Sequence, residues 1–206
     1  MSDVVPADTP VTTATPGQRL DSIDLWRGLI ICLMVLDHVR DYVHNAAFLL
    51  NPVDLTRASP ILFMTRWVTH LCAPTFVFLS GVSIFLQAQK GKSGWELSRF
   101  LLTRGLWLIV LELTIINFGF DFWPGVFLQV IWAIGAGMVI MAALVHLPPI
   151  WVLGLGAFIV AGHNVLDPID AAKLSQPLSQ LWSLFMEPGP APLGGFTLYP
   201  ALPWFG

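Results

Sequence analysis

The sequence predicts an all-α protein: a polytopic transmembrane helical bundle with five full spans and the start of a sixth. Three observations predict it. Only 11% of the 206 residues are charged, against about 25% in a soluble domain. The hydrophobic share is 55% and the mean hydropathy +0.72, and the apolar residues gather into runs separated by Pro, Gly and charge. Nine Trp and fourteen Phe crowd toward the ends of those runs, where an aromatic belt meets the lipid headgroups. A net charge of −3 offers no basic face, which argues against nucleic acid as a partner and leaves the lipid bilayer.

Residues 1–18 are rich in Pro and Thr, lack apolar periodicity and read as a disordered tail; residues 19–206 form one transmembrane domain. No basic stretch opens the chain, so the first helix is expected to stay uncleaved. The first span covers 23–44. Its apolar run, 28–36, follows Asp24 and Arg27 and precedes Asp37, His38, Arg40 and Asp41. As a helix, residues 25–43 reach about 28 Å, most of a bilayer. Each ionisable group inside that length costs on the order of 2.5–3.5 kcal/mol and normally faces protein or a wet cavity. The first helix is therefore expected to carry the chemistry.

A loop over 45–59 turns at Asn51-Pro52. The second span, 60–87, carries Arg66, His70 and Pro74 at spacings of four, hence on one face, with a kink expected from Pro74. Ser80, Gly81 and Ser83 suit close helix packing. A polar link holds Lys90 and Lys92. The third span, 95–118, carries Arg99, Arg104 and a mid-helix Glu112, expected to pair with Arg104 or Arg66. An aromatic turn at 121–125 leads to the fourth span, 126–147, which Pro148-Pro149 ends. The fifth covers 150–166. Residues 167–195 read as a Pro/Gly-rich loop. Another apolar segment opens at Phe196, so the chain is expected to be the N-terminal part of a longer protein. Cys32 and Cys72 lie inside apolar segments and read as small core residues.

Lys and Arg placement sets the orientation. Lys90, Lys92, Arg99 and Arg104 put the link between the second and third spans in the cytoplasm, together with the N-terminus. The loops after the first and fifth spans, with Asp54, Asp167, Asp170 and Glu187, then face outward. A multi-pass protein of a bacterial inner (plasma) membrane is the expected setting.

Arg27 and His38 have ten residues between them, about three turns, so they share one face roughly 16 Å apart along the axis. That can hold an anionic group at one end and a reacting atom at the other. Histidine suits a general base because its pKa lies near neutrality, and Asp37 and Asp41 sit close enough to bias it. The plainer reading is an interfacial charge cluster with a snorkelling Arg27. Arg66 and His70 either contact donor and substrate or neutralise Asp37 and Asp41. His163 and Asn164 offer donors and acceptors for a sugar hydroxyl, or simply cap a helix. No HExxH or clustered ligand spacing appears, so no metal is expected.

These residues carry a resemblance. Residues 19–43, RLDSIDLWRGLIICLMVLDHVRDYV, resemble the opening of the DUF1624 membrane proteins, the family that includes the catalytic domain of heparan-α-glucosaminide N-acetyltransferase. APTFVFLSGVSIF (73–85), GHNVLDPI (162–169) and YPALPWFG (199–206) match further along. The Arg27/His38 spacing is also similar to the signature of the wider acyltransferase-3 group. The resemblance implies an enzyme that takes an acyl, typically acetyl, group from cytoplasmic acyl-CoA (acetyl-CoA) as co-substrate. The acceptor would be a sugar or glycoconjugate across the membrane, and both O- and N-acyl transfer stay open. It implies His38 as base or transient acyl carrier, with Asp37 and Asp41 beside it. Arg27, with Arg66, would hold the donor; His70, His163 and Asn164 would meet the acceptor. The lysosomal branch carries its catalytic His in the loop after the first helix, which keeps His44 as a rival, and His70 is a third candidate. A homo-oligomer is compatible with this reading. These residues alone are expected to be inactive without the rest of the bundle. The competing class is a non-catalytic transporter, since intramembrane His, Asp and Arg also mark polar pathways.

Overall fold

The computed structural model describes residues 21–43, 52–54, 56–92, 94–121 and 126–206. Helix α1 covers Asp21–Val43, with Asp21 and Asp24 in its first turn and Arg40 in its last, each complementing the helix dipole. It packs on α2 (Pro60–Thr69) and α3 (Cys72–Gln89). Pro60 opens α2 and the Ser59 hydroxyl accepts from the Leu62 N–H, a standard N-cap. The interruption between α2 and α3 lies at His70 and Leu71. Pro74 has no N–H to offer the His70 carbonyl four residues back, so the ladder opens there. The backbone stays right-handed through the gap, with φ −57 at His70 and −73 at Leu71, so α2 and α3 continue one path.

Helix α4 (Gly94–Leu111) runs into a π turn, Glu112–Ile116, and then α5 (Asn117–Asp121). Helix α6 (Val130–Leu144) lies against α4 in the most extensive helix contact of the molecule. Gly105 and Gly135 let the backbones close. A Cβ at Gly105 would stand 2.6 Å from the Gly135 carbonyl oxygen, and Ser98 donates to the Ala142 carbonyl at 2.5 Å. The buried core sits here, with Ile84, Leu97, Leu101 and Ala142 packed by Phe100, Met138, Met141 and Val145. Helix α7 (Pro149–Gly162) and a 3₁₀ turn, His163–Leu166, follow.

Among the described residues, three helical stretches are long and apolar enough to cross a membrane: Pro60–Gln89, Gly94–Gly119 and Pro149–Leu166. Val130–Leu144 is apolar but shorter, and α1 is long but carries Arg27, Asp37, Arg40 and Asp41. Outward-facing Trp67, Phe78, Trp107 and Phe158 are each more than half exposed, as lipid-facing side chains would be.

The chain is mostly helical, as expected, and one small sheet is added to its helices. Three short strands, β1 (Phe127–Leu128), β2 (Gly189–Ala191) and β3 (Gly195–Thr197), form a sheet in the order β1-β3-β2. β3 runs parallel to β1, with Phe127 opposite Phe196, and antiparallel to β2. Gly195 lies so tightly on Val126 that no Cβ fits between them. The fourth helix accordingly begins at Val130 rather than 126. The expected loop 167–195 also contains a helix, α8 (Gln176–Phe185), and the segment after Phe196 forms β3 and then a short α9 (Ala201–Phe205). In α8 the serines point in and the leucines out. Ser179 and Ser183 are buried while Leu178 and Leu181 are exposed.

Candidate functional site

Asp37 is the hub of the polar cluster on α1. Its Oδ2 accepts from Arg66 Nη1 at 2.7 Å, and its Oδ1 from the Thr69 hydroxyl at 2.7 Å. Arg40, one turn on, stands 2.9 Å from Oδ1. The Asp37 side chain is 17% exposed and Arg40 11%, so this ion-pair network is largely removed from solvent. Two guanidinium groups, Arg40 and Arg66, thus meet at this one carboxylate at the junction of α1 and α2. Thr69 is buried, and its one hydroxyl proton is shared between two acceptors, the Asp37 carboxylate and the Arg66 carbonyl.

His38 is half-buried and follows Asp37, turned about 100° around the helix. Arg27 lies toward the other end of α1. Its Nη2 donates to the Ser83 hydroxyl of α3 at 2.6 Å, and Ser83 passes its own proton to the Leu79 carbonyl. Asp24 stands 4.0 Å from the same guanidinium. Cys72, buried, directs its thiol at the Ile30 carbonyl between these two stations. Helix α1 is thus pinned to α2 by Asp37 and to α3 by Arg27.

The other expected site residues are placed as follows. Arg66 forms the ion pair with Asp37. His70 is exposed, and its Nδ1 lies 3.0 Å from the Arg66 carbonyl; a carbonyl only accepts, so that nitrogen carries the proton. His163 Nδ1 approaches the Ile159 and Val160 carbonyls at 3.0 and 3.1 Å, closing the end of α7. Asn164 is exposed in the 3₁₀ turn. Asp41 belongs to α1, but its side chain, like all of His44, lies outside the described residues.

Glu112 does not pair with Arg104 or Arg66. It is fully buried, and its Oε1 accepts from the Gln129 N–H. Asn117 Oδ1 accepts from the Phe127 N–H at 3.0 Å. β1 gives its other edge to β3, so these two side chains stand in for a missing neighbouring strand. The π turn explains how. Bonding from i to i+5 stacks position 117 under position 112, which an α-helix would place far apart around the axis. Arg104 instead lies 5.0 Å over the Phe100 ring.

Two residues join the site that sequence reading passed over. Thr69 carried a signal, because it sits three residues after Arg66 and so shares its face. Tyr199, half-buried and 5.1 Å from the Trp204 ring, lies within electrostatic reach of Arg66, Asp37 and Cys72. It arrives through the sheet, where its N–H meets the Leu128 carbonyl, and no local signal announces that. Among the described residues, no three His, Cys, Asp or Glu side chains converge as metal ligands would.

Comparison with known proteins agrees with this assembly of distant motifs. A family model described as heparan-alpha-glucosaminide N-acetyltransferase, catalytic, matches residues 19–206. No curated protein and no solved structure matches the chain. The matched stretch spans both the α1 cluster and the Tyr199 segment that reaches it, and the chain belongs to the heparan-alpha-glucosaminide N-acetyltransferase catalytic-domain family.

Proposed function

We propose that this membrane protein is an acetyl-CoA-dependent acetyltransferase that delivers the acetyl group to a sugar or glycoconjugate amine or hydroxyl on the far side of the bilayer. The observation that carries the reading is the build of α1. One helix holds Arg27 at one station and the Asp37–His38 pair at another, about 16 Å along, and each station is tied to a neighbouring helix. In this reading α1, α2–α3, α4–α5, α6 and α7 are the five spans, α9 opens a sixth, and the N-terminus and the Lys90–Lys92 link are cytoplasmic.

His38 is the general base for the acceptor or the transient acyl carrier. Asp37 is a positioning residue: it holds Arg40 and Arg66 at the station next to His38 in the chain, and their charge would stabilise an oxyanion developing on the thioester carbonyl. Asp41, three residues on from His38 in the sequence, is the second carboxylate proposed to bias the imidazole. Arg27 and Arg66 meet the phosphate and pantetheine parts of the donor, while His70, His163 and Asn164 lie toward the acceptor side. Membranes carrying the protein are given radiolabelled acetyl-CoA and an amino sugar. His38→Ala is expected to lower transfer by about 10²–10⁴-fold. Arg27→Gln is expected to raise KM for the donor while changing kcat much less. Transfer undiminished in His38→Ala but lost in His44→Ala or His70→Ala would reassign the base.

A further inference from the structure

A groove of about 640 Å³ runs between α3, α6, α7 and α9. That volume lies within the usual range for a bound small molecule, roughly 300–1,000 Å³. Every residue lining it is apolar, Gly81, Phe85, Met141, Val152 and Val160 among them. Along α7 the lining extends from Pro149 to Ala161, which is about 18 Å of helix. One leaflet of hydrocarbon is about 15 Å deep. The groove therefore has the length of a lipid acyl chain in a single leaflet.

It also has a charged end. Ala88, Leu97, Leu147 and Pro149 line the end at which α3 stops and α4 and α7 begin. Lys90 and Lys92 follow Ala88 directly, both exposed. Lys92 reaches the Gln87 amide oxygen at 2.7 Å and stands 4.0 Å over the Phe100 ring, so its ammonium is held at this rim. His146, exposed, packs its ring on Gly94 beside Leu147. Glu96 is the one carboxylate in the sequence between Gln87 and Arg99, so the rim is net positive. This groove is distinct from the α1 site. Ser83, which holds Arg27, falls half a turn around α3 from Gly81 and Phe85, on the opposite face.

We propose that the groove binds one acyl chain of an anionic glycerophospholipid, with the lipid phosphate at Lys90, Lys92 and His146. Length, apolar lining and a cationic rim at headgroup level together define that ligand, as basic pockets between spans do for acidic lipids. The test uses the purified full-length protein, exchanged into phosphatidylcholine micelles, titrated with phosphatidylglycerol and assayed by lipid extraction and mass spectrometry. Phosphatidylglycerol is expected to be retained on the order of tenfold more tightly than phosphatidylcholine. Lys90→Gln with Lys92→Gln, both at exposed positions, is expected to abolish that preference while leaving helicity by circular dichroism unchanged. Gly81→Leu, at a position with open space around it, is expected to lower retention of both lipids. Equal retention of the two lipids by the unaltered protein would overturn the proposal. So would a preference that survives removal of both lysines, or retention of neither lipid, which would mean that protein fills the groove.

Discussion

At the scale of single residues, Asp37 organises the site by being over-subscribed. One carboxylate receives Arg66 and Thr69 with Arg40 2.9 Å away, so removing it takes the ion-pair partner from Arg66, while removing Arg66 leaves Asp37 still beside Arg40. Asp37→Ala and Arg66→Ala should therefore be strongly non-additive. A double-mutant cycle by thermal unfolding in detergent is expected to give a coupling of about 1–3 kcal/mol; additive losses would show that the pair does not interact. Glu112 is the second buried carboxylate with a definite task. Glu112→Ala leaves the Gln129 N–H without its acceptor and is expected to cost about 1–3 kcal/mol. Glu112→Gln keeps an oxygen there and should recover most of that loss, measured as the shift in melting temperature. The sequence made Asp37, Arg66 and their possible pairing visible, because ionisable groups in an apolar run demand partners. It misdirected the partner of Glu112, because the strand that Glu112 serves forms only when β3 arrives from seventy residues away.

At the scale of elements, three departures from regular helix place the site. The opening before Pro74 ends α2 at Thr69, so Thr69 and Arg66 present to α1 while α3 begins afresh at Cys72. The π turn lines up Glu112 and Asn117 on β1. The Gly105–Gly135 contact sets how closely α4 and α6 approach. Gly105→Leu is expected to destabilise by about 1–3 kcal/mol through overpacking. Gly119→Ala, where a new methyl meets nothing within 4 Å, is the control and should be near neutral. Equal melting temperatures for the two variants would contradict the close packing. The proline kink was legible because one residue type causes it. The π turn was not, since nothing local in ELTII distinguishes it from α-helix; the capping demand of β1 selects it. Helix α8 does carry helical spacing at Leu178, Leu181, Trp182 and Phe185, but the Pro and Gly around it make the whole stretch read as loop.

At the scale of the whole molecule, composition alone identified a helical membrane protein, and the spans follow from length and apolarity in three stretches. Helix α1 escapes that criterion because of its charges, of which Arg27 and Asp37 are met by neighbouring helices. The sheet was beyond reach of sequence, since its strands are two or three residues long and pair across the chain. Its consequence is to tie the segment from Gly195 to Tyr199 onto β1, far back in the chain. The central claim is that α1 passes an acetyl group across the bilayer through His38. Sealed proteoliposomes containing the full-length protein, with labelled acetyl-CoA outside and an amino sugar trapped inside, test it most directly. Labelled, acetylated sugar is expected in the lumen from the vesicle population whose cytoplasmic face is outward, and none when His38→Ala protein of equal amount and melting temperature is used. Luminal product formed undiminished by His38→Ala would contradict it.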